Sequence, residues 1–218
     1  MKFCKRVFII TSIFNIFSCA QIYPLVIQLK WSLMKKIFLF ILFSVAIYTK
    51  AQQVYSLRPT EIDLPENSYQ KDINNELPAY EGTWKGTWNN KIIYVNFKKI
   101  LNTYNAVTKY YRDYLVARFK VTDLNGNIIF DNTNLEDNKT KIVGVNFRRY
   151  GDKYSLIYID KDLCDTSGNI VINFTDPSKT QLNWKYNEGS NMITTDCQYY
   201  STTPFPTALP KEIVLIKQ

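Results

Sequence analysis

Apolar and polar residues alternate over short segments from about residue 81 to the C-terminus. The apolar positions are rich in β-branched and aromatic types, and Asn, Asp and Gly separate one segment from the next. Successive side chains of a strand point to opposite faces, so this pattern predicts antiparallel strands with one buried face each. No segment after residue 51 keeps a helical period for ten residues.

The alternation predicts nine strands. It is cleanest at residues 114–122, where Leu115, Ala117, Phe119 and Val121 share one face. The nine predicted strands cover residues 83–88, 91–101, 114–122, 128–130, 141–148, 154–159, 170–175, 181–186 and 212–217.

Short turn sequences join most of these strands, with turns predicted at residues 89–90, 123–127, 151–152 and 167–169. Nine strands in a row with short connections favour a meander that closes on itself, because closure removes exposed strand edges. We therefore expect an all-β fold, an antiparallel meander of about nine strands that closes into a lipocalin-like barrel as one domain over residues 81–218.

Residues 52–80 differ from the β pattern that follows them. They are polar, contain Pro59, Pro65 and Pro78, and show no sustained period. We expect this segment to form an extended polar arm or a short helical lead-in.

Residues 34–51 have the organisation of a secretory signal. Lys35 and Lys36 precede an apolar run at residues 37–47, and the sequence then becomes polar from Gln52. The run has 11 residues, whereas a membrane-spanning helix needs roughly 17–25. We expect cleavage between Ala51 and Gln52, an exported protein, and no membrane span in the mature chain.

Residues 1–33 hold a second basic start and a second apolar run. Two signals in tandem have no physical use, so we interpret translation as starting at Met34 and residues 1–33 as a gene-model extension. The alternative is a lipoprotein signal acylated at Cys19. Phe17 argues against it, because a small residue is usual at that place.

Charge and composition narrow the function classes. The chain has 27 Lys and Arg, 19 Asp and Glu, and a net charge of +8, but seven of the cations lie in residues 1–51. Residues 52–218 keep 20 cations and 19 carboxylates. This near balance gives no reason to expect nucleic-acid binding.

The chain contains no histidine. This excludes a Ser-His-Asp triad, an HExxH zinc site and a His-rich metal site. Residues 160–169 also fail as a calcium loop, since Cys164, Asp165 and Val171 stand where the motif requires Asp or Asn, Gly and Glu. We expect no cofactor and no metal.

Two cysteines, Cys164 and Cys197, follow the signal segment. In an exported protein an isolated pair usually forms a disulfide, and two free thiols are the alternative. A nucleophilic cysteine is not expected, because no histidine is present as a base.

Six stretches that together span nearly all of the chain after residue 51 carry a resemblance: residues 71–77, 80–84, 113–116, 125–126, 172–177 and 209–218. They resemble a family of small secreted flavobacterial proteins described only as a domain of unknown function. The resemblance implies export and one β-rich domain, and it brings no catalytic residue.

Gly82-Thr83-Trp84 at the first predicted strand resembles the Gly-x-Trp start of lipocalin-like (calycin) barrels. That resemblance implies a barrel and, by analogy of fold alone, a ligand carrier. The sequence departs from lipocalins in lacking a Thr-Asp-Tyr motif, a helix before the last strand, and an arginine near the C-terminus to stack on Trp84.

Four aromatic residues, Trp84, Trp88, Phe119 and Trp184, are candidates to line a cavity inside the barrel, or they fill its core. We expect a monomeric, non-enzymatic protein that binds a small apolar or glycan ligand or a protein partner. One alternative is a structural or interaction module with a solid core. The other is a hydrolase that uses two carboxylates among Asp113, Asp160, Asp176 and Glu188.

Overall fold

The computed structural model describes residues 31–41, 51–58, 63–191 and 193–218. The chain divides into two compact units, residues 1–51 and residues 52–218. In the first unit, residues 31–41 form a helix with exposed side chains. Among the described residues, no helix is both long and apolar enough to cross a bilayer. Cys19 and residues 42–50 of the predicted signal lie outside the described residues, and the predicted cleavage site falls at the boundary between the units.

The described part of the second unit contains eleven strands joined by tight turns and three short 3-10 helices. The strands are β1 (Val54–Ser56), β2 (Tyr69–Lys71), β3 (Gly82–Trp88), β4 (Lys91–Asn105), β5 (Tyr110–Asp123), β6 (Ile128–Asp131), β7 (Ile142–Phe147), β8 (Tyr154–Asp160), β9 (Thr166–Phe174), β10 (Gln181–Glu188) and β11 (Glu212–Lys217).

Eight of these strands close an antiparallel barrel in the order β5-β4-β3-β11-β10-β9-β8-β7. The ring closes where β7 returns to β5, through the pairs Val116 with Val143 and Ala117 with Ile142. The predicted all-β barrel is therefore confirmed. The predicted strand at residues 128–130 is β6, which pairs with β5 beside the barrel.

Local sequence accounts for the turns. Asn89 and Asn90 have φ angles of 45° and 60°, the left-handed values that a two-residue hairpin turn requires, and the predicted turn between β3 and β4 is confirmed. The turn predicted at residues 167–169 is wrong, because Gly168 lies inside β9, paired with Tyr158 and Glu188. Glycine is present there because the backbone of β10 and the ring of Tyr186 approach too closely for a Cβ atom.

The polar segment before the barrel also contains short strands. Strands β1 and β2 pair in parallel, and β2 pairs in parallel with the start of β5. A 3-10 helix follows at Leu77–Ala79. Each strand has three residues, too few for an alternating pattern to be recognised.

One edge of β5 has several partners in succession. Strand β2 pairs with residues 111–112, β7 with residues 116–117, and β6 with residues 120–122. Side chains fill the gaps. The Tyr154 hydroxyl accepts a hydrogen bond from Leu115 N (3.3 Å), and Asn132 Oδ1 accepts one from Phe119 N (2.6 Å). Asn132 N donates to Phe119 O (3.1 Å), so the amides of β5 stay paired between its short partner strands.

The barrel interior is a single apolar cluster. The inward positions predicted for residues 114–122, which are Leu115, Ala117, Phe119 and Val121, are all buried. The largest side chains with less than 2 % exposure are Trp84, Trp184, Tyr80, Tyr154, Tyr158, Phe97, Phe119, Leu77, Ile93, Leu115, Ile142 and Leu156.

Several tyrosines belong to this core. Burial raises the pKa of Tyr80, Tyr154 and Tyr158, and the charge of Asp160 adds to the effect on Tyr158. Burial, with the charges of Glu188 and Asp160, raises the pKa of Tyr186 to about 12. The folded state therefore favours the neutral phenols.

The contact between Asn132 and β5 predicts a stability difference within a pair of asparagines. Asn132→Ala leaves the buried Phe119 N–H without an acceptor, which should lower the free energy of unfolding by about 1–3 kcal/mol. Asn134 is exposed, so Asn134→Ala should change it by less than about 0.5 kcal/mol. Urea unfolding monitored by tryptophan fluorescence measures both. Equal losses in the two variants would show that Asn132 does not support β5.

The buried tyrosines predict alkaline destabilisation. Above about pH 10 the unfolded chain releases phenol protons that the folded state keeps. The free energy of unfolding should thus be unaffected by these groups below pH 10 and fall above it, by about 1.4 kcal/mol per pH unit for each tyrosine. Tyr186→Phe should reduce this slope up to about pH 12, while the exposed Tyr150→Phe should not. Urea unfolding at several pH values measures the slope, and identical slopes in both variants would contradict the burial argument.

Candidate binding surfaces

The four aromatic candidates for cavity lining lie at or in the core. Trp84 and Trp184 are fully buried, Phe119 is nearly so, and the half-buried Trp88 packs against the same cluster. Trp84 Nε1 donates a hydrogen bond to Tyr80 O (2.7 Å), and Trp184 Nε1 donates to Pro210 O (3.1 Å). Both indoles therefore have a structural role, since their only polar atoms already have partners in the chain.

Other aromatic rings fill the space between these residues. The ring centroids of Tyr80 and Phe174 are 4.3 Å apart, and those of Phe119 and Tyr158 are 6.1 Å apart. Next to Trp84, a Cβ atom added to Gly86 would lie 2.6 Å from Ile213 Cδ1, closer than real Cβ contacts come. The side chains of the barrel thus occupy its interior around the tryptophans.

The N-terminal segment covers one end of the barrel. Leu57, Leu77 and Tyr80 are buried members of the core cluster. The guanidinium of Arg58 lies 4.0 Å from the centroid of the Phe147 ring, and its Nε is 2.9 Å from Glu76 Oε1. The described residues of this segment, 57–58 and 63–80, therefore pack on the end of the barrel at which β3 begins.

Two buried carboxylates attach this segment to the sheet. Asp113 accepts hydrogen bonds from the Tyr69 hydroxyl (2.6 Å), Asp72 N (2.9 Å) and Asn102 N (2.9 Å). Asp72 accepts from Glu76 N (2.7 Å), Leu77 N (3.1 Å) and Lys99 Nζ (2.7 Å). Several donors satisfy each carboxylate, so the pair fixes the arm on β4 and β5.

The other end of the barrel is covered by the loops before β9 and β11. Leu163, Ala208 and Leu209 are buried there. Cys164 and Cys197 form a disulfide with their Cα atoms 5.5 Å apart, which confirms the predicted pair. The disulfide connects the two loops that close this end.

The carboxylates predicted as alternatives for hydrolysis form hydrogen bonds within the fold. Asp160 accepts from Lys141 Nζ (2.6 Å), the Tyr158 hydroxyl (2.8 Å) and Asp162 N (3.0 Å), at the opposite end of the barrel from Asp113. Hydrogen bonds from the Ser178 hydroxyl and from the residues after it lower the pKa of Asp176. A general acid needs a raised pKa, whereas the contacts of Asp176 lower its pKa. The fourth candidate, Glu188, is exposed.

No metal centre is formed within the described ranges. The structure there contains no group of three or more Cys, Asp or Glu side chains placed to hold a metal ion. Residues 160–169, which superficially suggest a calcium loop, form a 3-10 turn and then the start of β9.

Three surface pockets lie outside the barrel, with volumes of about 550, 400 and 320 Å³. The first two are neighbours at the disulfide end and share Lys161 and Asp162. The third lies on the outer face of β3, β4 and β5, with Tyr94 and Lys120 in its wall. Tyr94 and Lys120 are not among the site residues predicted from sequence. Their outward positions in the alternating pattern are the signal that could have found them.

One of three comparisons with known proteins finds a match, and the matched family has no assigned activity. No curated protein and no solved structure matches the chain. The sequence model of a family of unknown function, DUF6705, matches residues 34–218. This match covers the predicted signal and the whole barrel, and the chain therefore belongs to this family.

Proposed function

We propose that the chain is an exported, non-catalytic binding module that recognises its ligand on the outer surface of a filled barrel. The observation that carries the proposal is the closed interior. Trp84 and Trp184 are fully buried with their N–H groups bonded to backbone, and chain segments cover both ends of the barrel. These contacts favour binding outside the barrel over carriage of an apolar ligand within it.

Four observations support export. Residues 34–51 have the signal organisation, and the boundary between the two units falls at residues 51 and 52. Disulfides such as that of Cys164 and Cys197 persist in oxidising compartments. The family match begins at Met34, the proposed start of translation.

The structural roles of the buried carboxylates support a non-catalytic protein. Asp72, Asp113 and Asp160 each accept three hydrogen bonds within the fold. A hydrolase would need two carboxyl groups facing a cleft with room for a substrate. The interaction module with a solid core and the binding protein are thus one proposal, in which the core supplies stability and the surface supplies recognition.

Barrel closure also supports a monomer. Eight strands form a closed ring, and the strands beside it, β1 and β6, have three and four residues. Short edge strands offer little backbone for pairing with a second chain.

Native mass spectrometry of protein exported by the cells that produce it tests the proposal. We expect the mass of residues 52–218 with one disulfide, with Gln52 either free or cyclised, and no apolar ligand retained. Added palmitate should not change the fluorescence of Trp84, Trp88 and Trp184 in a saturable way. A retained apolar molecule, or saturable one-to-one quenching by palmitate, would contradict binding outside the barrel. A start at acylated Cys19 would contradict the signal assignment.

A further inference from the structure

The outer face of β3, β4 and β5 carries an aromatic residue between two cations. In the register of these strands Lys85 is opposite Tyr94, and Tyr94 is opposite Lys120. In the next row, Thr83 is opposite Asn96, which is opposite Arg118. We call these two rows the Tyr94 face, which consists of Thr83, Lys85, Tyr94, Asn96, Arg118 and Lys120.

The two lysines flank the ring at similar distances. Lys85 Nζ lies 5.5 Å and Lys120 Nζ 5.6 Å from the centroid of Tyr94. A contact with an aromatic face leaves ammonium protons able to bind an anion. None of the ion pairs among the described residues includes either lysine. Asp131 is opposite Lys120 in β6, and hydrogen bonds from Thr133 and the charge of Lys120 lower its pKa.

The third pocket is a depression in the Tyr94 face. Its volume of about 320 Å³ is of the size of small-ligand sites, which begin at about 300 Å³. Thr83, Asn96 and Thr133 line it beside Tyr94 and Lys120. Asn96 Nδ2 donates to Thr83 Oγ1 (3.1 Å), which leaves the Asn96 carbonyl oxygen as an acceptor. Arg118 also lines the pocket, but it already binds Leu135 O and Asp137.

We propose that the Tyr94 face binds an anionic carbohydrate. Lys85 and Lys120 move off the Tyr94 ring to pair with the acid groups of the ligand, and a sugar ring takes their place on the aromatic face. An aromatic side chain with a polar tip offers an apolar surface for the C–H face of a sugar. The hydroxyl and amide groups of Thr83, Asn96 and Thr133 both donate and accept, as sugar hydroxyls do. This inference rests on the proposed function and names the ligand class of its outer surface.

Charge distribution favours a sugar over other anions. Residues 52–218 are close to neutral, with 20 cations and 19 carboxylates, so the two lysines form a local site and not part of a basic stripe. Nucleic acid would require cations along a longer path. An acidic peptide could pair with the lysines and with the polar groups of the pocket, but it has no flat C–H face to pack against Tyr94.

Isothermal titration of the exported protein with four probes tests the inference. The probes are a tetragalacturonate, a heparin-derived tetrasaccharide, neutral maltotetraose and tetraglutamate. We expect an acidic sugar to bind about tenfold or more tightly than maltotetraose and tetraglutamate, and its affinity to fall with added salt. Binding of tetragalacturonate shows that a carboxylate is sufficient as the acid group, whereas binding of the heparin fragment alone shows that sulfate is required.

Variants locate the site. Lys85→Gln with Lys120→Gln should weaken binding about three- to tenfold, because it removes both charges and keeps the side-chain stems. Tyr94→Leu should weaken it to a similar degree, while Tyr94→Phe keeps the ring and should stay within about threefold. Lys185→Gln is the matched control, since Lys185 is exposed on β10 and should leave the affinity unchanged.

Three results would overturn the inference: no binding of either acidic sugar, equal binding of tetraglutamate, or an equal loss of affinity in the Lys185→Gln control. These results would not contradict the proposal that the protein binds its ligand on the outer surface. Only an apolar ligand held inside the barrel contradicts that proposal, so the two failures are distinguishable. Circular dichroism of each variant confirms that a lost affinity does not arise from unfolding.

Discussion

The closure of the barrel at β5 and β7 is the contact on which the remaining structure depends. Two residue pairs make it, Val116 with Val143 and Ala117 with Ile142. So short a connection leaves most of one edge of β5 open to water or to another chain, which would be costly for buried backbone groups. The chain supplies further partners on both sides, with β2 and Tyr154 before the junction and Asn132 and β6 after it.

A closed ring of eight strands has an interior about wide enough for side chains to fill, and this chain fills it with aromatic residues. The aromatic polar atoms bond to backbone or to neighbouring side chains, as in the contacts of Trp84 with Tyr80 O and of Tyr158 with Asp160. Because the N-terminal segment packs on one end and the disulfide-linked loops on the other, the outer surface is the part of the barrel that meets solvent. The outer strand faces are therefore the part of the barrel that a ligand can reach.

The sequence alone predicted strand positions correctly where the alternating pattern was long and a short turn joined the strands. Strands β3, β4 and β11 start within one residue of their predicted positions, and the Asn89-Asn90 turn sets the register that places Lys85 beside Tyr94. The position of Lys120 could not be predicted in this way, because β4 and β5 shift register between Ile100 and Thr103. A bulge changes which residues are opposite each other and moves the later residues of the bulged strand to the other face, so counting from the turn gives the wrong partner.

The other differences also have physical reasons. In the sequence, Gly168 predicts a turn. In the structure it lies where the backbone of β10 and the ring of Tyr186 approach β9 too closely for a Cβ atom. The polar arm lacks periodicity because Asp72 and Asp113 hold it through hydrogen bonds, whereas Leu57, Leu77 and Tyr80 are the only residues in its described part that enter the core. Hydrophobic patterning detects burial of alternate faces and does not detect attachment by buried carboxylates.

Nuclear magnetic resonance under xenon pressure tests the filled barrel most directly, because xenon enters apolar cavities that side chains leave empty. The indole signals of Trp84 and Trp184 and the methyl signals of Leu215 report on the interior around the buried tryptophans. A filled barrel predicts only small shifts that rise linearly with xenon pressure. Saturable shifts confined to these interior groups would reveal a cavity and would favour ligand binding inside the barrel.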